Sequence, residues 1–236
     1  MAVPELPDDP ALFASRISDA GYFEGLSLTA EDRTRTEQYR AEGERSALER
    51  QATDLDGYLR SLDMRLRWRR FAREDFKRVT QLVNKTNQFN LTTRRYTEEE
   101  IAAIAADPRA IGLQFRLVDR FGDSGIIAVV VGRLSDEGLL DLETWLMSCR
   151  VLGRGVEQAT LNVVLEQARA LGASALAGRY RPTAKNAMVA DLYPRLGFQR
   201  LMTTGEGESA FRLEIADPAP APAPAGDIIA LVEDQE

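Results

Sequence analysis

The stretch Arg150-Val-Leu-Gly-Arg-Gly155 lies between a strand-like run, Leu139 to Met147, and the clearest helical pattern of the chain, Gly155 to Leu171. The two glycines of this loop would allow backbone N–H groups to close on an anion, and a helix N-terminus adds roughly half a positive charge. The side chains of Arg150 and Arg154 can add charge-assisted hydrogen bonds to phosphate. A tight strand-to-helix turn explains the same glycines, so the loop alone leaves a phosphate site and a structural turn both open.

Local patterns on either side of the loop predict a mixed α+β domain that begins near residue 64. Residues Met64 to Phe71 alternate between apolar and basic side chains, which is typical of a half-buried strand. Thr97-Glu-Glu-Glu100 has the spacing of a capping box and opens a helix that ends near Asp107-Pro108. Further predicted elements are helices at 74–83 and 186–196 and strands at 111–118, 126–131, 175–177, 198–202 and 210–215. The resulting order is β-α-α-β-β-β-α-β-α-β-β.

The two ends of the chain differ in composition from this central domain. Asp9-Pro10 can open one helix near the N-terminus, and a long charged helix is expected from Glu31 to about Arg50. The C-terminal part is a Pro/Ala-rich linker followed by a short apolar-acidic end. The predicted division is an N-terminal helical connector (1–62), a central domain (63–216) and a linker with a short tail (217–236).

The composition of the 236-residue chain excludes several kinds of chemistry. It has no histidine and a single cysteine, Cys149, which excludes His-based catalysis, His-ligated metals and a cysteine-based zinc site, and no metal is expected. The net charge of −7 argues against nucleic-acid binding. No apolar run reaches the roughly 20 residues of a membrane span, and the N-terminus lacks a signal-peptide pattern. We therefore expect a cytoplasmic protein with no membrane partner.

Two motifs, in this order along the chain, resemble the signatures of the GNAT acetyltransferase superfamily. Arg-x-x-Gly-x-Gly at 150–155, after the fourth strand, is similar to the acyl-CoA loop of that superfamily. The stretch from Asn186 to Phe198 ends in Leu-Tyr-Pro-Arg-Leu-Gly-Phe and is similar to its second signature, a helix ending in Leu-Tyr-x-x-x-Gly-Phe. The resemblance covers about residues 64 to 215. It implies the GNAT fold, a mixed central sheet flanked by helices, here with an N-terminal helical extension.

A closer resemblance is to the C-terminal part of FkbH-like proteins, which join a HAD-type phosphatase domain to a GNAT-like domain. It rests on three stretches, Asn84 to Thr97, Thr144 to Arg154 and Pro182 to Asn186. That family loads a glyceryl unit onto an acyl carrier protein in polyketide-type biosynthesis. Asp54-Leu-Asp-Gly57 resembles the Asp-x-Asp motif of a HAD site. A HAD site needs an apolar strand before this motif and βα units after it, whereas here polar helical residues precede it and no βα units follow. We therefore interpret Asp54 as a helix N-cap and do not carry the HAD chemistry over.

Three residues are candidates for catalysis, each with a structural alternative. By its match to the GNAT signature, Tyr193 would protonate the leaving sulfur, or it packs in the core with its hydroxyl satisfied locally. Glu143 lies where some relatives place the base, and it shares a strand face with Asp141. Two neighbouring carboxylates could raise the pKa of one of them towards neutrality, or both could simply face solvent. Cys149 lies near a helix N-terminus, which favours a thiolate and an acyl relay, although a lone cysteine also suits a small buried position.

Two further sets of residues are predicted to bind ligands. The predicted cofactor-binding residues are Arg150, Leu152, Gly153, Arg154, Gly155, Val156 and Asn186. In the GNAT resemblance Asn186 would hydrogen-bond a pantetheine arm, and a helix N-cap is its alternative role. The predicted substrate-binding residues are Asn84, Asn87, Gln88, Asn90 and Trp145. The four amides lie in a loop on the acceptor side of the implied fold, where turn formation would also explain them.

These inferences predict a GNAT-type acyltransferase domain that binds an acyl thioester, either acyl-CoA or the phosphopantetheine of an acyl carrier protein. The FkbH-like resemblance implies the carrier protein and a HAD-type phosphatase or glyceryl transferase domain as partners. The basic run from Arg65 to Arg78 would dock the acidic carrier protein, or it forms a solvated strand face. Two alternatives stay open: a catalytically silent docking domain for a separate HAD domain, and a free-standing small-molecule N-acetyltransferase.

Overall fold

The computed structural model describes Asp9, Pro10, Phe13 and residues 30–52, 54–203, 207–215 and 228–234. They fall into two compact units, Met1–Ser46 and Ala47–Glu236. The predicted long helix is confirmed as α1 (Ala30–Gln51), whose residues belong partly to each unit. The helix expected from Asp9-Pro10 lies mostly outside the described residues. The domain boundaries expected after residues 62 and 216 stay predictions.

A short helix, α2 (Leu55–Ser61), leads into the sheet. Its N-cap is Asp54, whose Oδ1 accepts a hydrogen bond of 2.6 Å from the N–H of Gly57. The prediction that Asp54 caps a helix is confirmed. Strand β1 (Met64–Arg70) follows, and its side chains alternate between buried and exposed, as the sequence pattern predicted.

Up to strand β7 the remaining elements follow in the predicted order. The helices are α3 (Phe76–Lys85), α4 (Glu98–Ala106), α5 (Val156–Ala170) and α6 (Leu192–Arg195), with 3₁₀ turns at Arg73–Asp75, Cys149–Val151 and Ala187–Val189. The strands are β2 (Ala110–Asp119), β3 (Gly122–Leu134), β4 (Leu139–Met147), β5 (Ala175–Tyr180), β6 (Gln199–Thr203), β7 (Ser209–Glu214) and β8 (Ile229–Glu233). The predicted capping box is confirmed, because Thr97 and Glu100 each accept the other's backbone N–H.

The strands of the described residues form one eight-stranded sheet with the order β6-β7-β5-β4-β3-β2-β1-β8. The pairs β4–β5 and β1–β8 are parallel, and the other neighbours are antiparallel. One buried cluster includes α5, and a second includes α3 and α4. Successive residues of β2, Ala110 and Ile111, belong to different clusters, so the helices flank both faces of the sheet. The predicted α+β architecture is confirmed.

The predicted helix at 186–196 is wrong in its continuity. The structure has a 3₁₀ turn at Ala187–Val189 and then the four-residue helix α6. Pro194 has no N–H to donate to the carbonyl of Ala190, which interrupts a continuous helical hydrogen-bond pattern. This segment therefore forms a tight connection rather than a long helix.

Strand β8 lies in the segment that the sequence predicts to be a short tail after the linker. It pairs in parallel with β1, from Met64 opposite Ile229 to Trp68 opposite Glu233. Ile229 is buried, with 1% of its surface exposed, whereas the other four residues of the strand are exposed. One buried residue gives no periodic signal, and the partner strand is remote in sequence, so local patterns could not predict this pairing.

The contribution of β8 to stability can be measured with one substitution. Ile229→Ala should lower the free energy of unfolding by about 2–4 kcal/mol, because it leaves a cavity in the core. Ala230→Ser, at the next and exposed position, should change it by less than about 0.5 kcal/mol. Urea denaturation of the full chain provides both values. Equal stability of Ile229→Ala and the wild type would show that β8 does not pack on the sheet.

Candidate functional site

Strand β4 has an irregularity at Glu143 that opens the sheet. Two successive residues of β3 pair with Leu142 and Thr144, so Glu143 is an extra residue and forms a β-bulge. Strand β4 pairs with β5 only up to Leu142, which lies opposite Gly178. Beyond this pair the two parallel strands are no longer joined, and we call the opening between them the fork.

The loop predicted to bind phosphate follows the end of β4. Gly153 and Gly155 have φ values of 74° and 78°, in the left-handed region that favours glycine. Gly155 is the N-cap of α5, and no side chain caps this helix end. The first N–H groups of α5 and the helix dipole therefore favour an anion here. The side chains of Leu152 and Val156 pack in the core, so these two residues can offer only backbone groups to a ligand.

The two arginines of the loop have different environments. Arg154 is buried, and its Nη1 lies 3.6 Å from Oδ2 of Asp119, whose side chain is completely buried. Arg150 is exposed, and its Nε donates a hydrogen bond of 3.2 Å to Oγ of Ser148. Arg150 can therefore reach an anion from solvent. Arg154 would first have to leave Asp119, and its predicted contact with phosphate stays a prediction.

Tyr193 lies where β4 and β5 separate. Its ring packs on Gly178, since a Cβ atom at position 178 would lie 2.4 Å from Cζ of Tyr193. The hydroxyl is buried near the backbone of Arg179, without a hydrogen bond of normal geometry to any described residue. Burial raises the pKa of Tyr193 well above its usual value, so the hydroxyl stays protonated at neutral pH. Centroid distances of 6.2, 4.8 and 5.2 Å separate this ring from the rings of Trp145, Phe198 and Phe211.

Two other buried polar atoms close to Tyr193 have no hydrogen-bond partner among the described residues. They are Nε1 of Trp145, whose ring meets that of Tyr193 edge-on, and Oδ1 of Asp141. Burial raises the pKa of Asp141, and Arg179, 2.6 Å from its other oxygen, offsets part of this rise. Buried polar groups without partners are costly, and a polar ligand in the fork could supply the partners. The side chain of Trp145 is completely buried, and its predicted contact with a substrate stays a prediction.

Glu143, the candidate base, is held by two arginines. Its Oε2 accepts a hydrogen bond of 2.8 Å from Nη1 of Arg94, and its Oε1 accepts one of 3.4 Å from Nε of Arg133. The hydroxyl of Tyr96 lies 3.4 Å from Oε2, and burial raises the pKa of Tyr96 to about 12. An acceptor that used Glu143 as a base would have to replace one of these partners.

Cys149, the third catalytic candidate, begins the 3₁₀ turn that follows β4. Its side chain is exposed, so the alternative of a small buried hydrophobic residue is wrong. The turn is capped by Ser148, whose Oγ accepts the N–H of Arg150 at 3.4 Å. The thiol is therefore accessible from solvent, and its role as an acyl relay stays a prediction.

The amide side chains predicted to recognise a polar substrate bond mainly to the chain itself. Asn84 donates to a backbone carbonyl at 2.8 Å, and Asn87 donates to another at 3.3 Å. Asn90 is completely buried and bonds to the backbone of its own loop through both ends of its amide. Gln88 is exposed. Asn87 and Asn90 thus have the local contacts of turn formation, which was their alternative explanation, whereas Asn84 joins the two ends of the loop through the backbone of Tyr96. A substrate role for the set stays a prediction.

Residues 89–92, which we call the fork segment, fill the fork. On the β4 side, backbone hydrogen bonds of 3.2 and 3.0 Å place Asn90 opposite Leu146 in an antiparallel bridge. On the β5 side, the N–H of Arg181, directly after the strand, donates to the carbonyl of Leu91 at 2.8 Å. Beyond the bulge, the fork segment therefore takes the position beside β4 that β5 has before it.

Asn186 joins the fork segment to the loop after β5. Its side chain is completely buried, and Nδ2 donates to the carbonyls of Asn90 and Arg181, both at 2.9 Å. Its Oδ1 accepts a hydrogen bond of 2.7 Å from the N–H of Thr183. Asn186 is at the N-cap position of the 3₁₀ turn Ala187–Val189, but its side chain makes no capping hydrogen bond there. Contact with a pantetheine arm stays a prediction, and in this structure Asn186 positions the fork segment.

Solved structures show which fold this site belongs to. Neither a protein-family model nor a curated protein matches the chain. A structure described as a GNAT-family acetyltransferase from Desulfovibrio desulfuricans has a TM-score of 0.51 and 18% identity, covering 64% of this chain and 99% of that one. The GNAT domain of PAT from S. lividans has a TM-score of 0.49 and 17% identity, covering 62% and 89%. The structure of yncA from Salmonella typhimurium with its cofactor acetyl-CoA has a TM-score of 0.48 and 15% identity, covering 69% and 99%. The chain has the GNAT acetyltransferase fold.

Two features of the site were absent from the predicted residues. Gly178 lies inside a short strand, and an interior strand glycine often marks the close approach of another group, here the ring of Tyr193. Phe89 and Leu91 are the apolar residues of an otherwise polar loop, which could have indicated a buried segment. Among the described residues, no cluster of three potential metal ligands occurs and no helix is long and apolar enough to cross a membrane.

The role of Asn186 in the fork can be tested by stability. Asn186→Ala should lower the free energy of unfolding by about 2–5 kcal/mol, because it leaves the buried carbonyl of Asn90 without a partner and removes the part-buried hydrogen bonds to Arg181 and Thr183. The exposed Gln88→Ala should change it by less than about 0.5 kcal/mol. Urea denaturation compares the two variants, and similar values for both would contradict the role assigned to Asn186.

Proposed function

We propose that this domain binds an acyl thioester, either CoA or the phosphopantetheine of an acyl carrier protein, and transfers its acyl group to an acceptor. The proposal rests on the connection between the glycine loop and the fork. Strand β4 leads directly into a loop whose geometry favours an anion, and the hydroxyl of Tyr193 is buried where β4 leaves β5. A donor whose phosphate lies at the N-terminus of α5 can extend its arm along β4 towards Tyr193.

In the proposed reaction, a nucleophilic atom of the acceptor attacks the carbonyl carbon of the thioester. A bond to that carbon forms, the C–S bond breaks, and the sulfur leaves with the bonding electron pair. Tyr193 donates its hydroxyl proton to the sulfur and later regains a proton from solvent. Burial keeps the hydroxyl protonated but also makes it a weaker acid, so the proposed role rests on the position of Tyr193 in the fork and not on its pKa. The proton released by the acceptor goes to a base, for which Glu143 on the bulge is the candidate.

The acyl carrier protein is the proposed source of the thioester. Support comes from the three stretches that resemble FkbH-like proteins and from the basic run, since carrier proteins are acidic. Within that run, Arg67 and Arg69 form ion pairs with carboxylates of the chain, whereas Arg73, Lys77 and Arg78 are exposed. The last three residues are therefore the proposed contact with the carrier protein. A cytoplasmic polyketide-type pathway with a separate HAD-type domain is the corresponding context.

A second candidate function is a docking platform that binds the carrier protein without turnover. The fork segment favours it, because its hydrogen bonds occupy the edge of β4 that a donor arm would need. A platform needs the surface of the domain but not an open fork. Turnover therefore separates the two functions, and binding alone does not.

The phosphate site can be tested with a pair of glycines that have the same backbone conformation. Gly155→Val should weaken the binding of CoA and of a holo carrier protein by at least about tenfold, since the side chain strains the loop at the anion site. Gly172→Val is the matched control, because Gly172 has φ 79° at the opposite end of α5. Calorimetric titration measures CoA and the holo carrier protein separately. Unchanged affinity in a folded Gly155→Val variant would refute the phosphate site, and tighter binding of the carrier protein would support it as the source.

The chemical role of Tyr193 can be separated from its packing. Tyr193→Phe keeps the ring on Gly178 and removes only the hydroxyl, so the affinity for the donor should stay the same. Turnover of an acyl thioester should fall by about 10²-fold or more, the usual scale for losing a general acid. Tyr58→Phe, at another buried tyrosine, is the control for loss of a hydroxyl. Full activity in Tyr193→Phe would exclude it as the proton donor, and no turnover in any variant would favour the docking platform.

A further inference from the structure

The fork segment blocks the route that a donor arm would take. The pantetheine arm of a thioester donor is extended and contains amides, which need hydrogen-bond partners once they leave water. Beyond the bulge, the edge of β4 that faces away from β3 offers the carbonyl of Trp145 and the N–H of Met147. Both groups are already bonded to the fork segment, at 3.2 and 3.0 Å. The arm and the segment cannot use this edge at the same time.

The closed position of the fork segment is strained at its end. Thr93, the residue that follows it, has φ 54°, although β-branched residues rarely adopt left-handed backbone conformations. The N–H of Thr93 donates to Oδ1 of Asn90 at 2.8 Å, and Thr92 Oγ1 donates to the carbonyl of Glu143 at 2.8 Å. These contacts hold a conformation that the chain would not adopt alone, and such strain is typical of switch regions.

We propose that the fork segment is a gate that the acyl-thioester donor displaces when it enters the fork. The inference rests on the proposed function, because it needs a donor that lies along β4. When the segment moves away, the donor amides replace it at Trp145 and Met147, and the strain at Thr93 is released. The thioester then lies beside the hydroxyl of Tyr193. Only molecules whose gate is open can bind the donor. The apparent affinity therefore equals the affinity of the open form multiplied by the fraction of open molecules.

A reversible disulfide can lock the gate. Asn90 and Leu146 are opposite each other, and the bonds of the bridge come from their neighbours. In such antiparallel pairs the Cα atoms are about 4.5 Å apart, which a disulfide can span. The double variant Asn90→Cys/Leu146→Cys should therefore close the gate covalently when oxidised. After reduction, the same protein should bind CoA at least about tenfold more tightly than in the oxidised state. Peptide mapping confirms that Cys149 is not part of the disulfide.

Loosening the gate should have the opposite effect. Thr92→Val keeps the shape of the side chain and removes the hydrogen bond to the carbonyl of Glu143. Because opening then costs one hydrogen bond less, the affinity for CoA should rise by about fivefold. A misfolded variant would not bind more tightly, so this result cannot come from general damage. An unchanged or weaker affinity would overturn the gate.

Hydrogen exchange of the full chain gives a readout that does not depend on variants. The amide of Leu91 donates to Trp145 in the closed state, so addition of CoA should make it exchange faster, whereas bound ligands normally protect amides. Each single-cysteine variant, taken through the same oxidation and reduction, is the control for the lock. Equal affinity of the oxidised and reduced double variant, with CoA bound by the wild type, overturns the gate and leaves the proposed function intact. Absence of binding of CoA and holo carrier protein in the wild type overturns the proposed function and the gate with it.

Discussion

An extra residue in a β-strand moves the side chains after it to the other face of the sheet and bends the strand. At Glu143 this shift keeps Trp145 and Met147 in the same buried cluster as Leu142, although an unbroken alternation would place them on the opposite face. The bend also ends the pairing of β4 with β5. The contact between Trp145 and Tyr193, the fork and the position of the fork segment all depend on this single register shift.

The bulge also connects two features that are separate in sequence. The glycine loop begins where β4 ends, and Tyr193 packs on Gly178, where β5 stops pairing with β4. Both therefore lie along the same few residues of β4. The loop whose geometry favours an anion and the buried hydroxyl of Tyr193 are the two features on which the proposed acyl-thioester site rests.

The sequence predicted those parts of the fold that depend on neighbouring residues. The alternation of β1, the capping box at Thr97 and the glycine loop before α5 are local patterns, and each was found where it was expected. Strand β8 and the fork segment depend on pairing with strands that are remote in sequence, and no local pattern contains that information. The contacts of the individual side chains of the site also depend on residues that are remote in sequence, so local patterns do not predict them.

The ion pairs of the arginine and carboxylate side chains are an example of contacts that the sequence does not predict. The sequence predicts that Arg154 and Glu143 belong to a site, but their partners come from other strands and loops. Asp119 at the end of β2 faces Arg154, and Arg94 and Arg133 hold Glu143. Sequence patterns predict the strand, helix or loop in which each of these residues lies. Which charged residue forms an ion pair with it is known only from the folded structure.

The closed fork is not a fully satisfied core. Oδ1 of Asp141, Nε1 of Trp145 and the hydroxyl of Tyr193 are buried without partners among the described residues, and Thr93 keeps a strained backbone conformation. Each of these features costs free energy, of the order of 1–3 kcal/mol. A segment that filled the fork permanently would be expected to satisfy these groups or to replace them with apolar ones, because unpaired buried polar atoms only weaken a core. Opening the fork also exposes the buried side chains of Phe89 and Leu91. Any of the unsatisfied groups that gains a partner in the open fork offsets part of that cost, and the binding energy of the donor supplies the rest. The unsatisfied atoms therefore favour a fork that opens over one that is permanently filled.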